Sequence, residues 1–231
     1  VFCEMTDEQT KIYEVEKSSV RNLIMSGTGQ KDSSRTSIVV LQGLMKLRQI
    51  SNHPLIADED YKGGSGKFET VLSNIESVVN EGHKILVFSS FVTHLKLFSD
   101  ALEERNTSFS MLTGASTNRK KIVESFQNDP ANRVFLISLK AGGVGLNLTS
   151  ADYVFILDPW WNPAAELQAL SRAHRIGQDK NVFVYRYITS GTLEEKIVKL
   201  QEKKSRLAES FVATSNPLRD IDMKEILEII E

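Results

Sequence analysis

From Lys67 onward the chain alternates short, nearly continuous apolar runs with segments of helix length, and this pattern limits the possible folds more than any other feature. The runs lie at 85–88, 109–112, 134–137, 154–157 and 182–188, and they lack the regular polar alternation of strands wetted on one face. Before, between and after them, 67–81, 92–105, 117–127, 163–176 and 192–211 are long enough for helices. Apolar strands joined through helices belong in a parallel sheet, so the expected class is α/β with three layers and helices on both faces of the sheet.

The first 66 residues read differently. Thr6 and Gln9 have the spacing of a capping box before a helix through Tyr13, Val20 and Leu23. A second helix through Ile38, Leu41, Met45 and Leu47 ends near Pro54, and the Gly/Ser/Thr-rich stretch 26–37 reads as the loop between them. The division expected is a helical appendage over 1–66, a sheet-bearing lobe over 67–211, and a tail over 212–231 that breaks at Pro217 and closes with a short helix. Because the chain opens at Val1 directly into a folded segment, it is expected to be a piece of a longer protein.

Composition narrows the function classes. Lys plus Arg number 28 against 30 Asp plus Glu, for a formal charge of −2, so any nucleic-acid contact has to be local rather than a property of the whole surface. The single cysteine, Cys3, excludes an intramolecular disulfide and fits a reducing compartment. No apolar run approaches the roughly 20 residues needed to span a bilayer, and neither a membrane role nor a targeting signal is expected.

In open parallel sheets ligands gather beyond the carboxyl ends of the strands. The residues there are small or polar: Ser89 and Ser90, Thr113 and Gly114, Ser138, and Asp158. The stretch 138–147 pares its side chains away around Lys140, Gly142, Gly145 and Asn147, which suits close approach of backbone amides to phosphate and equally suits a tight turn. Asn162 and Pro163 start a helix that Gly177 ends. Gln168, Arg172 and Arg175 share one of its faces. An arginine held on a transferring γ-phosphoryl group is worth ~10³ to 10⁵ in rate, although a solvated basic face has the same spacing.

Together these segments resemble the second lobe of helicase superfamily two, and within it the sucrose-nonfermenting (Snf) family of double-stranded-DNA translocases and chromatin remodellers. KILVFSSF at 84–91 resembles motif IV, LISLKAGGVGLNLTSADYVFILDPWWNP at 136–163 motif V, and QALSRAHRIGQ at 168–178 motif VI. LMKLRQISNHP at 44–54 and GTLEEKIVKLQEKK at 191–204 are also similar to family landmarks. The resemblance implies a RecA-like lobe in which Arg172 and Arg175 are arginine fingers reaching ATP, with Gln168, Gly145 and Asn147 near the nucleotide. It implies that Ser89, Thr113, Ser138, Lys140 and Gly142 hold the phosphates of one DNA strand; Ser90 and Gly114 beside them, and Trp161 at the corner between strand and helix, are further candidate DNA contacts. Leu139 stands where many relatives have threonine and Ser171 where many have aspartate, which shifts weight in the turn onto Ser138 and the backbone.

Part of such a motor is missing from the sequence. A P-loop ending at Lys67 would need glycine at Tyr61 and Ser or Thr at Phe68, and no Asp-Glu pair follows an apolar strand to hold magnesium. ATP and Mg are therefore expected on a preceding N-terminal RecA-like lobe of the same polypeptide, and this stretch alone is expected to be inactive. Double-stranded DNA and a DNA-bound protein are the other expected partners. The absence of accessory reader modules leans bacterial, with a cytoplasmic, nucleoid-associated location; a eukaryotic protein would be nuclear. Two alternatives remain open: the second lobe of an RNA helicase, which shares motifs V and VI, and a non-catalytic interaction module with a motor-like fold. The apolar stripe of 193–211, with Lys199 and Lys203 beside it, is packing or, as in relatives, a brace between lobes.

Overall fold

The computed structural model describes residues 1–27, 33–142, 148–160 and 181–208. Five of the apolar runs become β2 (Ile85–Ser89), β3 (Phe109–Leu112), β4 (Val134–Ser138), β5 (Tyr153–Ile156) and β6 (Phe183–Arg186). They form one sheet in the order β3-β4-β2-β5-β6 with every neighbouring pair parallel. The two-residue strands β1 (Phe2–Cys3) and β7 (Ile188–Thr189) stand outside it, so the run at 182–188 splits in two.

Every residue of β2 and β4 is buried, which requires cover on both faces of the sheet. One face carries a cluster of Leu86, Phe88, Leu112, Phe126, Phe135 and Ile137, joined by Val154 and Ile156. The alternate residues Val87, Leu136 and Phe155 are buried on the other side. The covering helices include α3 (Gly66–Asn80), α4 (Val92–Glu104) and α5 (Arg119–Asn128); the single turn α6 (Leu139–Gly142) follows β4 without a break. Gly82 ends the α3 segment at φ +88, where a β-carbon would be strained, and His83 N–H returns to Val78 C=O at 3.1 Å.

The helical region is α1 (Asp7–Gly27), α2 (Ser33–Asn52), a 3₁₀ turn over Pro54–Ile56, and α7 (Leu193–Ala208). The capping box forms in both directions. Gln9 N–H donates to Thr6 Oγ1 at 3.2 Å and Thr6 N–H to Gln9 Oε1 at 3.4 Å. The loop expected over 26–37 is shorter, because α1 runs to Gly27 and α2 begins at Ser33; residues 33–37 hold no Gly or Pro, and Ser and Thr carry only a mild helix penalty.

Contacts divide the chain into two units, Glu69–Ile188 with Val1, and Phe2–Phe68 with Thr189 onward. The sequence reading grouped 192–211 with the sheet; in the structure α7 belongs with the helices. The reason is a buried polar joint at its first turn. Lys67 Nζ lies 2.7 and 2.5 Å from the two carboxylate oxygens of Glu194 and 3.2 Å from Asn52 Oδ1, and both charged side chains are fully buried. Thr189 N–H donates to Glu194 Oε2 at 2.8 Å, Thr189 Oγ1 to Ser51 C=O at 2.7 Å, and Leu193 N–H to Tyr13 Oη at 2.7 Å.

Candidate nucleic-acid interface at the carboxyl edge of the sheet

Strand register brings most of the residues predicted from sequence to one edge. Ser89 and Ser138 end β2 and β4 at the same level, and Leu112 pairs with Ile137, so Thr113 emerges beside Ser138. β2 leads toward β3 and β5 toward β6, so the crevice between β2 and β5 is where the strand order diverges. Asp158 closes that crevice. Ser89 Oγ donates to Asp158 Oδ2 at 2.6 Å, and Ser90 N–H reaches Oδ1 and Oδ2 at 3.2 and 3.1 Å. The Ser90 hydroxyl donates to Oδ1 as well.

The serines therefore differ in what they can do. Ser89 is fully buried, its one proton goes to Asp158, and its oxygen accepts from Phe91 N–H at 3.0 Å, so it acts as a strut beneath the surface. Ser90 is only half-buried and stands one residue nearer solvent. Ser138 is also buried, and its hydroxyl accepts from Ala141 N–H at 3.4 Å, starting α6. Leu139 turns onto the apolar cluster, which accounts for a side chain without a hydroxyl at that position. Lys140 is exposed on the single turn, and Gly142 ends it.

On the other side of Ser138, Thr113 is half-buried and Gly114 exposed in a tight turn. Thr113 N–H donates to Ser116 Oγ at 2.9 Å and Ala115 N–H to Thr113 Oγ1 at 3.3 Å; a hydroxyl that accepts in this way keeps its own proton to donate.

The sequence reading missed two features here. One is Asp158 as the organiser of the edge; an acid directly after a buried strand needs donors, and a Ser-Ser pair ending the central strand is the signal. The other is Arg119-Lys120-Lys121 in the first turn of α5, which contains no acidic residue. Helix N-termini favour negative charge, so cations placed there run against the dipole and suit an anionic neighbour. Arg119 donates to Ala141 C=O, which ties this turn to α6, and the side chain of Lys120 is 91% exposed.

Lys67 is fully buried in its pair with Glu194, so its ammonium group is not available to a nucleotide phosphate. Gly145, Asn147, Trp161, Gln168, Arg172 and Arg175 lie outside the described residues, as does Ser171.

Residues 66–177 match the helicase conserved C-terminal domain. An uncharacterized ATP-dependent helicase of Schizosaccharomyces pombe is 41% identical over 179 residues, covering 76% of this chain and 17% of that protein. The Sulfolobus solfataricus SWI2/SNF2 ATPase C-terminal domain is 33% identical with a TM-score of 0.80, covering 100% of this chain and 96% of that one. The SWI2/SNF2 ATPase core of the same organism in complex with dsDNA is 35% identical with a TM-score of 0.82, covering 100% of this chain and 49% of that one. The chain spans between 11% and 25% of the lengths of the curated relatives it matches.

Proposed function

Since the chain belongs to the SWI2/SNF2 ATPases, as their helicase C-terminal lobe, we propose that it is the second motor lobe of an ATP-dependent double-stranded-DNA translocase. In this reading it supplies half of the DNA-backbone track and lends Arg172 and Arg175 to ATP hydrolysis, with Gln168, Gly145 and Asn147 beside the nucleotide. Magnesium and the ATP phosphates belong to a first lobe in the same polypeptide. The stretch alone does not turn over ATP.

The observation that carries the track is the cationic edge. Lys140 on α6 and Lys120 and Lys121 on α5 are exposed beyond the carboxyl ends of β3 and β4, with Thr113, Gly114 and Ser90 at the same edge. Exposed ammonium groups and hydroxyls around a strand edge suit a row of phosphates, and such contacts position a duplex without reading its sequence. Ser89 and Ser138 contribute from below by holding the turns in place. The solved relative in complex with dsDNA supports duplex over RNA as the polymer.

The test of the fingers is Arg175→Ala in the full-length protein. It is expected to lower DNA-stimulated ATPase by ~10³ or more, and a rate within about threefold of wild type removes the assignment.

A further inference from the structure

Strand β6 ends the described sheet with a surface that the track does not use. Phe183, Val184 and Tyr185 are 49%, 45% and 36% exposed, three consecutive large apolar residues on a strand bordered only by β5 among the described residues. The rings pack against one another. Phe183 and Tyr185 stack on Tyr153 at 5.2 and 6.1 Å, and Tyr185 meets Phe155 edge-on at 5.3 Å. Proteins usually shorten, charge or cover such an edge, because its outward backbone groups invite another strand.

Val1 shows how it is covered. Its nitrogen donates to Arg186 C=O at 2.8 Å, and its C=O accepts from Ile188 N–H at 3.0 Å. One residue bonded to two partners that stand two apart on the facing segment is the parallel ladder, and it sets Val1 level with Tyr187. The same register carries the polypeptide before Val1 back along β6 toward Phe183. Phe183 and Tyr187 N–H donate to β5 and its extension, at Asp152 and Ile156 C=O, so the backbone groups of Val184 face the outer edge.

We propose that the residues immediately N-terminal to Val1 in the full-length polypeptide join this sheet as a parallel strand on the outer edge of β6. The residue two before Val1 is then level with Tyr185 and donates to Val184 C=O, and the residue four before is level with Phe183 and accepts from Val184 N–H. Side chains at those two positions share the aromatic face and are apolar. The proposal rests on the reading of the chain as a second lobe, since those residues are then the end of the connector from the first lobe. The connector's last few residues are fastened to the sheet, and lobe motion hinges upstream of them.

Hydrogen exchange tests this on two forms, the chain beginning at Val1 and the full-length polypeptide. The Val184 amide is expected to exchange about tenfold or more slowly in the longer form; equal rates overturn the proposal. A Val184→Pro substitution deletes the outward donor, and an edge strand tolerates it. The chain beginning at Val1 should keep its wild-type circular dichroism with this change, while in the full-length protein the connector's amides should exchange faster. Connector amides as slow as wild type in that variant also overturn the proposal. DNA-stimulated ATPase of the wild-type full-length protein is measured in parallel. Its absence with a slow Val184 amide counts against the motor reading alone, and its presence with a fast one against the strand alone.

Discussion

Replacing Lys67 with methionine tests whether the buried joint at the start of α7 holds the helical unit together. The substitution keeps most of the side chain's volume and removes a fully buried ammonium that lies 2.7 and 2.5 Å from the two Glu194 oxygens. The carboxylate remains buried, with Thr189 N–H at 2.8 Å among its partners, and an amide hydrogen bond does not replace a cation. Removing one member of a buried pair typically costs about 3–5 kcal/mol, because the other charge stays desolvated. With a urea m-value of about 2 kcal/mol/M, the unfolding midpoint followed by far-UV circular dichroism should fall by about 2 M. Adding Glu194→Leu should recover a large part of the loss, since replacing both charges by apolar groups of similar volume is often nearly neutral. A K67M protein within about 1 kcal/mol of wild type, or a double variant whose loss equals the sum of the singles, would refute the reasoning.

Other consequences follow from particular residues. Burial holds the imidazole of His53 down at about 4, against 6.5 for the free side chain, while its Nδ1 accepts from Leu55 N–H at 3.2 Å. The unfolded chain therefore binds the proton more readily. The contribution is full above pH 6.5 and is lost as pH falls to about 4, about 3 kcal/mol by that point, and a His53→Asn variant should lack that slope in denaturation measured from pH 7 to 4. Asp158→Asn replaces an acceptor of several serine donors by an amide and should cost about 1–3 kcal/mol by calorimetry; an unchanged transition would show that the carboxylate does not organise the edge. Lys140→Ala in the full-length protein should weaken duplex binding alike for all sequences and reduce the slope of log K against log salt by about 1; an unchanged slope removes Lys140 from the track. A β-carbon on Gly66 would collide with the Glu4 carbonyl oxygen, so Gly66→Ala should cost about 1–3 kcal/mol in the same urea titration.

What the sequence disclosed depended on how local the cause was. The capping box at Thr6 and Gln9 spans a single turn, and the strands at 85–89 and 134–138 announce themselves because burial on both faces leaves no polar alternation. The collection of Ser89, Thr113 and Ser138 at one edge follows from parallel connectivity, so it was also legible. Which serine faces outward was not, because the answer depends on Asp158, 69 residues from Ser89. The partnership of Lys67 with Glu194 spans 127 residues, and neither side chain's neighbourhood in sequence hints at the other. It also explains why α7, whose apolar stripe fits either unit, packs with the helices.

The joint has a consequence for how such chains can grow. The polypeptide leaves the helical unit after Phe68 and returns at Thr189, and the pairing of Lys67 with Glu194 ties the two crossing points at their base. Once a loop this long is closed, lengthening it is inexpensive in entropy, about 0.6 kcal/mol for each doubling. New surface segments, even whole accessory domains, can therefore be spliced into turns between Glu69 and Ile188 with little strain on the clasp. A lobe built this way can keep one frame and vary what hangs between its two fixed ends.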